Sequence, residues 1–185
     1  MIYDLDTEFI EDGKTIDLIS LALVAEDGRK LYIEFSDVDW SKANDWVLKN
    51  VVPSLWRSEG SGPYRWPNCP HEGGFYSRAT GAIEIKAFLD PKQYGKPEIW
   101  GYFADYDWVA FCQLFGRMVD VPEGYPMFCR DIQQLCIDKG NPPLPKCNGE
   151  HHALNDALWN QQIRLWLQSL PYPTEVTEVT EVKQP

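Results

Sequence analysis

Asp6 and Glu8 stand two residues apart near the start of the chain, and Asp4 precedes them by two more. In an extended strand, residues at i and i+2 project from the same face. Asp4, Asp6 and Glu8 then line one face, and Tyr3, Leu5, Thr7 and Phe9 line the other. Carboxylates in such a row repel one another, and burying them is costly without a compensating cation. The stretch alone leaves two readings open: a solvated edge strand, or a platform for a divalent metal. The second requires further carboxylates carried by other elements, and two stretches offer them. Asp107, in Tyr106-Asp107-Trp108, falls where a strand passes into a helix. A carboxylate there also serves as a cap or as a partner of the helix dipole, and Asp105 competes for either role. Asp156 follows His151 by five residues. Five helical residues turn through about 500°. The two side chains therefore converge only if His151 lies in the loop before a helix and Asp156 in its first turns. The Pro-rich loop ending at Glu150 permits this.

Positioning these groups takes a full domain. The chain has 185 residues, 44% of them hydrophobic and 14% aromatic, enough for one core spanning residues 1–170. Alternation predicts a first strand at the N-terminus, a second over 16–25 and a third over 30–35. Asp-Gly turns at 11–14 and 26–29 join them into an antiparallel meander. A helix follows over 41–50, ended by Pro53. Residues 53–77 are rich in Pro, Gly, Ser and aromatics and read as a long loop. Its aromatics would stack on bases or pin the loop to the body; too few basic residues accompany them to favour the first. Next come a short helix over 80–89 with Ile83, Ala87 and Phe88 inward, and a fourth strand over 97–103. A helix over 107–115 follows, with Ala110, Phe111 and Leu114 as its buried stripe. A short fifth strand over 127–129, a helix over 130–139 and a long helix over 151–170 with Leu154, Leu158 and Leu165 on one stripe complete the domain. The alternation predicts an α/β fold with a mixed five-stranded central sheet flanked by helices. Thr-Glu-Val repeats three times over 174–182, so 171–185 reads as a disordered tail.

Charge and cysteine content narrow the function classes. A net charge of −11 argues against holding nucleic acid on a broad basic surface. It leaves open an enzyme that engages a few nucleotides through bound metal ions, whose charge would offset the carboxylates at one place. No apolar run is long enough to span a membrane, and the N-terminus lacks the layout of a signal peptide, so a cytoplasmic protein is expected. The five cysteines are odd in number and form no Cys-x-x-Cys pair, which speaks against a disulfide framework. Cys112, Cys129 and Cys136 lie among apolar residues and read as core fillers. Cys69, His71, Cys147 and His151 could be drawn as a zinc site, but their spacing fits no zinc motif.

Taken together, the acidic stretches resemble the DEDDh 3′–5′ exonuclease family of the ribonuclease H-like fold. Asp6-Thr7-Glu8-Phe9 resembles its Asp-x-Glu motif, Tyr106-Asp107 its aromatic-Asp motif, and His151 with Asp156 its His-x-x-x-x-Asp motif. The tyrosine variant of the superfamily would need Tyr four residues before Asp156, where this chain has His152. The runs Asp6 to Gly13, Leu18-Ile19-Ser20, Val24 to Arg29 and Tyr106 to Ala110 resemble the mycobacterial-type branch that degrades adenylate-rich RNA. Against that pattern residues 57–78 look like an insertion. The resemblance implies that Asp6, Glu8, Asp107 and Asp156 hold two Mg²⁺ or Mn²⁺ ions, and that His151 takes the proton from the attacking water. It implies a single-stranded nucleic-acid substrate, RNA favoured over DNA, cut from the 3′ end to nucleoside 5′-monophosphates, and a possible homodimer. An inactive binding module of the same fold is the rival from another class. Thr7, Phe9, Ile10, Ser20 and Trp108 are the candidate substrate contacts. Phe9 and Ile10 would wedge or stack against the terminal base; parity turns Phe9 to the core, away from the carboxylates, unless the strand bends after Glu8.

Overall fold

The computed structural model describes residues 1–56 and 72–173. Strands β1 (Ile2–Glu11), β2 (Ile16–Ala25) and β3 (Lys30–Phe35) form the expected meander. Gly13 and Gly28, at φ 81° and 91°, supply the left-handed turn positions that the Asp-Gly pairs promised. Helix α1 (Asp45–Asn50) is shorter than expected. Its first half is a separate 3₁₀ turn, Trp40–Lys42, because Asn44 caps a new start by accepting from the Val47 N–H at 2.9 Å.

The sheet has six strands, not five, in the order β4-β3-β2-β1-β5-β6. The unexpected one is β4 (Glu72–Tyr76), parallel to β3, within the stretch expected to be loop. Of the 57–78 segment, residues 57–71 lie outside the described residues, as do 174–185 of the expected tail. Strand β5 (Glu98–Gly101) lies parallel to β1. The last strand, expected at 127–129, is instead β6 (Arg130–Asp131), parallel to β5. Asp131 ends it by capping the next helix and by accepting from the Ala104 N–H, each at 2.9 Å.

Two layers of helix cover the sheet. On one face α2 (Arg78–Phe88) and α4 (Asp105–Gln113) bury Ile85, Phe88, Ala110 and Phe111 against Leu5, Leu21, Leu23, Ile33 and Phe35. Each large side chain so buried stabilises the fold by about 1.5–3 kcal/mol. Gly81 lets α2 approach closely: a Cβ there would sit 2.7 Å from the Phe35 ring. Ile83, expected inward, is 65% exposed, because α2 turns Ala82 and Ile85 to the sheet instead. On the other face α6 (Ala153–Ser169) packs Ala153, Leu154 and Ala157 on Ala22, Val24 and Tyr32. Leu165 is exposed, contrary to the leucine stripe, and the polar Asn160 and Arg164 are buried in its place. The remaining short helices are α3 (Pro91–Tyr94) and α5 (Ile132–Asp138). No described helix is long and apolar enough to cross a membrane.

Candidate active site

The face of β1 turned toward α6 carries Asp4, Asp6 and Glu8, and the three have different fates. Asp4 is fully buried and accepts two hydrogen bonds from Arg164, Nε to Oδ1 and Nη2 to Oδ2, both at 2.8 Å. Asp6 and Glu8 have no such partner among the described residues. Asp156, in the first turns of α6, joins them, and one oxygen from each of the three lies within 4.8 Å of the others. Among the described residues no lysine or arginine forms an ion pair with Asp6, Glu8, Asp107 or Asp156.

Asp156 is fixed from both sides. Its Oδ2 accepts from the His152 N–H at 3.2 Å and its Oδ1 from the Cys147 thiol at 3.0 Å. The loop before α6 is set by the two histidines. His152 turns inward and stacks on Tyr32 at 4.6 Å, with Trp56 at 4.9 Å. His151, at φ 68°, turns the other way, to the rim of the cleft, where its ring meets the Trp46 ring edge-on at 4.8 Å. The Ser54 hydroxyl donates to the His151 carbonyl. Asp107, in the first turn of α4, is held by Thr7, whose N–H and hydroxyl both donate to its Oδ1.

The electrostatics follow from this crowding. Burial, and then the charges of Asp107, Asp156 and Glu8, hold the Asp6 carboxyl well above the ordinary carboxylate range. Burial, with Asp156 and Asp107 adding to it, pushes Glu8 up to about 8. Burial raises Asp107 to about 6 against the pull of the Thr7 hydrogen bonds. Asp156 is raised by burial, offset by Cys147 and by the His152 and His151 N–H groups. Clustered carboxylates, buried at Glu8 and Asp107 and half-buried at Asp6 and Asp156, with no lysine or arginine ion-paired to them among the described residues, are a donor set that a divalent cation would relieve. All four are hard oxygen donors of the kind that suits Mg²⁺ or Mn²⁺. The cleft beside them, about 410 Å³, is walled by Tyr102, Leu144, Trp159 and Asn160 and opens on Asp6, Asp156 and His151.

The five residues carried over from the acidic motifs therefore converge around one end of β1. The candidate substrate contacts fare differently. The β1–β2 register shifts between Glu8 and Phe9. Past that bulge the alternation reverses, so Ile10 joins Tyr3 and Leu5 in the core at 1% exposure and cannot touch a terminal base. Phe9 is half-buried and stacks on the exposed Tyr106 ring at 5.9 Å. Thr7 is buried and engaged with Asp107, and Ser20 is fully buried opposite Glu8. Trp108 stacks on Phe111 at 5.2 Å and lines a second cleft with Val109, Cys112 and Met118, which none of the four carboxylates borders. Cys147 bonds Asp156, while Cys69 and His71 of the drawn zinc site lie outside the described residues. The sequence reading does not single out Asn160 or Arg164, and it considers Cys147 only for the drawn zinc site, not as a partner of Asp156. The four-residue spacing of Asp156, Asn160 and Arg164 along one helical face would have pointed to the first two.

Fold and site together define an α/β protein whose central strand feeds an acid-lined cleft between sheet and helix. A family model described as the 3'-5' exoribonuclease Rv2179c-like domain matches residues 2–167, and the chain belongs to that family. Its relatives include the 3'-5' exoribonuclease Rv2179c of Mycobacterium tuberculosis strain ATCC 25618 / H37Rv. The two are 38% identical over 158 residues, covering 85% of this chain and 87% of the relative. The 3'-5' exoribonuclease MT2234.1 of M. tuberculosis strain CDC 1551 / Oshkosh matches to the same extent.

Proposed function

We propose that this protein is a DEDDh-type 3′–5′ exoribonuclease of the ribonuclease H-like fold. It would release nucleoside 5′-monophosphates singly from the 3′ end of single-stranded RNA, adenylate-rich RNA in particular. Asp6, Glu8, Asp107 and Asp156 would hold two Mg²⁺ or Mn²⁺ ions, and His151 would act as proton acceptor. The observation that carries this reading is the trio of carboxylates within 4.8 Å, with no lysine or arginine ion-paired to it among the described residues. Burial first, and for Asp6 and Glu8 the neighbouring carboxylates as well, holds these acids above the ordinary range. When bound, such ions activate water and stabilise the charge on the leaving 3′ oxygen.

The chain's own residues supply the rest. Asp6 and Glu8 stand on a central strand, so their separation is set by the pleat rather than by a loop. The Thr7 hydrogen bonds aim Asp107, and Cys147 with the His152 N–H aims Asp156. His151 is fixed at the cleft rim by Ser54 and Trp46, with its ring free to take a proton from the attacking water. The Phe9–Tyr106 pair, partly exposed past Glu8, offers an aromatic surface on which a base can stack.

The relatives' names favour RNA over the competing substrate, DNA. Incubation of the protein and Mn²⁺ with a 3′-labelled single-stranded RNA and its DNA counterpart separates the readings. Mononucleotide release from RNA alone is expected. Release from DNA alone would favour the DNA exonuclease, and release from neither would leave the inactive binding module.

A further inference from the structure

Three polar residues of α6, Asp156, Asn160 and Arg164, recur every fourth position and face β1. Opposite them, β1 carries Asp4, Asp6 and Glu8 at every second position. Four helical residues advance about 6 Å, and two strand residues advance about 6.6–6.8 Å. The two rows therefore stay nearly in step over three rungs, running in opposite directions. Arg164 meets Asp4 in a bidentate pair, 2% and 0% exposed. Asn160, 1% exposed, donates from Nδ2 to the Leu5 carbonyl at 3.0 Å and lines the cleft beside Asp6. Asp156 meets Asp6 and Glu8.

We infer that Arg164 and Asn160 are positioning residues that lock the register of α6 on β1 and so set the spacing of Asp156 from Asp6 and Glu8. The inference rests on the metal-holding reading proposed above. An apolar helix–strand contact tolerates sliding by fractions of an ångström, because dispersion is non-directional. A bidentate guanidinium–carboxylate pair does not, since both N–H···O bonds are directional and planar. The pair is buried, so removing one partner alone would strand a charge and destabilise the fold for reasons unrelated to position. Replacing both by apolar residues of similar volume keeps packing and removes only the directional constraint.

The test uses the full chain, with Mn²⁺ as the probe. The variants are Arg164→Lys, Asn160→Ser and the double replacement Asp4→Leu with Arg164→Met. Mn²⁺ affinity is read by titration calorimetry and electron paramagnetic resonance, folding by near-UV circular dichroism. Residues that orient metal ligands typically contribute about 10–100-fold in affinity, and Arg164 would do so through the placement of α6 and its Asp156. A loss in that range is expected in Arg164→Lys and in the double variant, with a native spectrum. Saturating Mn²⁺ should restore kcat on RNA with KM for RNA unchanged. Should the double variant fail to fold, Arg164→Lys, which keeps the charge, decides. Affinity within about twofold of the parent in the folded variants would overturn the positioning role alone, as would a kcat that excess Mn²⁺ does not restore. A parent chain that binds no Mn²⁺ would instead overturn the metal reading, and this role with it.

Discussion

Thr7 donates twice to one oxygen of Asp107, from its N–H at 2.8 Å and from its hydroxyl at 2.6 Å. The residue between Asp6 and Glu8 thus ties the start of α4 to β1 and holds a third carboxylate beside the other two. Both bonds stabilise the ionised form of Asp107 against the effect of burial. Thr7→Val keeps the shape and the N–H but deletes the hydroxyl donor. A hydrogen bond to a charged group contributes about 1.5–3 kcal/mol, and about 1.4 kcal/mol is tenfold in rate. We expect kcat on RNA to fall about tenfold or more, with KM little changed and Thr7→Ser close to the parent. Steady-state kinetics on labelled RNA check this. A Thr7→Val enzyme at full speed would mean that Asp107 needs no aiming.

Glu8→Gln should separate function from stability. At alkaline pH the ionised Glu8 is buried and repelled by Asp156 and Asp107, and a neutral isostere removes that repulsion. The variant is expected to melt a few degrees higher than the parent in EDTA at pH 9, and to lose nearly all of its Mn²⁺ binding and hydrolysis. At pH 5, where both side chains are neutral, the two proteins should melt together. Scanning calorimetry at the two pH values is the check. A lower melting temperature for Glu8→Gln at pH 9 would contradict the strained-acid picture.

The same carboxylates give the metal-free protein an unusual pH dependence. Glu8 at about 8 and Asp107 at about 6 lie above the ordinary unfolded values of about 4.3 and 3.9. Between those limits the folded state keeps protons that the unfolded state has released. Stability is therefore greatest below the unfolded values and falls as pH rises through the folded ones. The melting temperature in EDTA is expected to decline from pH 5 to pH 9. Excess Mn²⁺ should flatten or reverse the trend, because metal binds the deprotonated site and displaces its protons. Identical pH trends with and without Mn²⁺ would rule out a cation at this cluster.

Much of this was legible in the chain itself, for physical reasons that also mark where legibility stopped. The meander is punctuated by Asp-Gly turns whose glycines take left-handed φ, a local requirement that shows in residue type. Strand β4 is not legible that way. It contains Gly73 and Gly74, and its place is set by β3: a Cβ on Gly73 would stand 1.8 Å from the Tyr32 carbonyl oxygen. Glycine there serves close approach of two backbones, while in the sequence it reads as loop. The bulge after Glu8 depends on the β2 partner, so β1 alone does not show that the bend carries Ile10 into the core rather than toward a terminal base. The helix α6 departs from its leucine stripe for a related reason. Arg164 is buried only because Asp4, far away in sequence, neutralises it, and hydrophobic periodicity has no view of that pairing.

His151 offers a final test, because its backbone and its ring make separate demands. At φ 68° it lies in the left-handed region, where a side chain with Cβ is strained by about 1–3 kcal/mol. Asparagine tolerates that conformation better than most residues. If His151 were retained for structure, His151→Asn would be harmless, since the carbonyl bond from Ser54 and the turn into α6 survive it. The contact of the imidazole with Trp46 would be lost, but Trp46 is 53% exposed and buries little there. On the proposed reading the proton acceptor would be lost as well, and positioned general bases contribute about 10²–10⁴-fold. His151→Asn is therefore expected to melt no lower than the parent and to bind Mn²⁺ normally, yet to hydrolyse RNA at least about 100-fold more slowly. Single-turnover kinetics at saturating Mn²⁺ decide the point. A variant that keeps its rate would remove His151 from the chemistry and leave it the role of a turn residue.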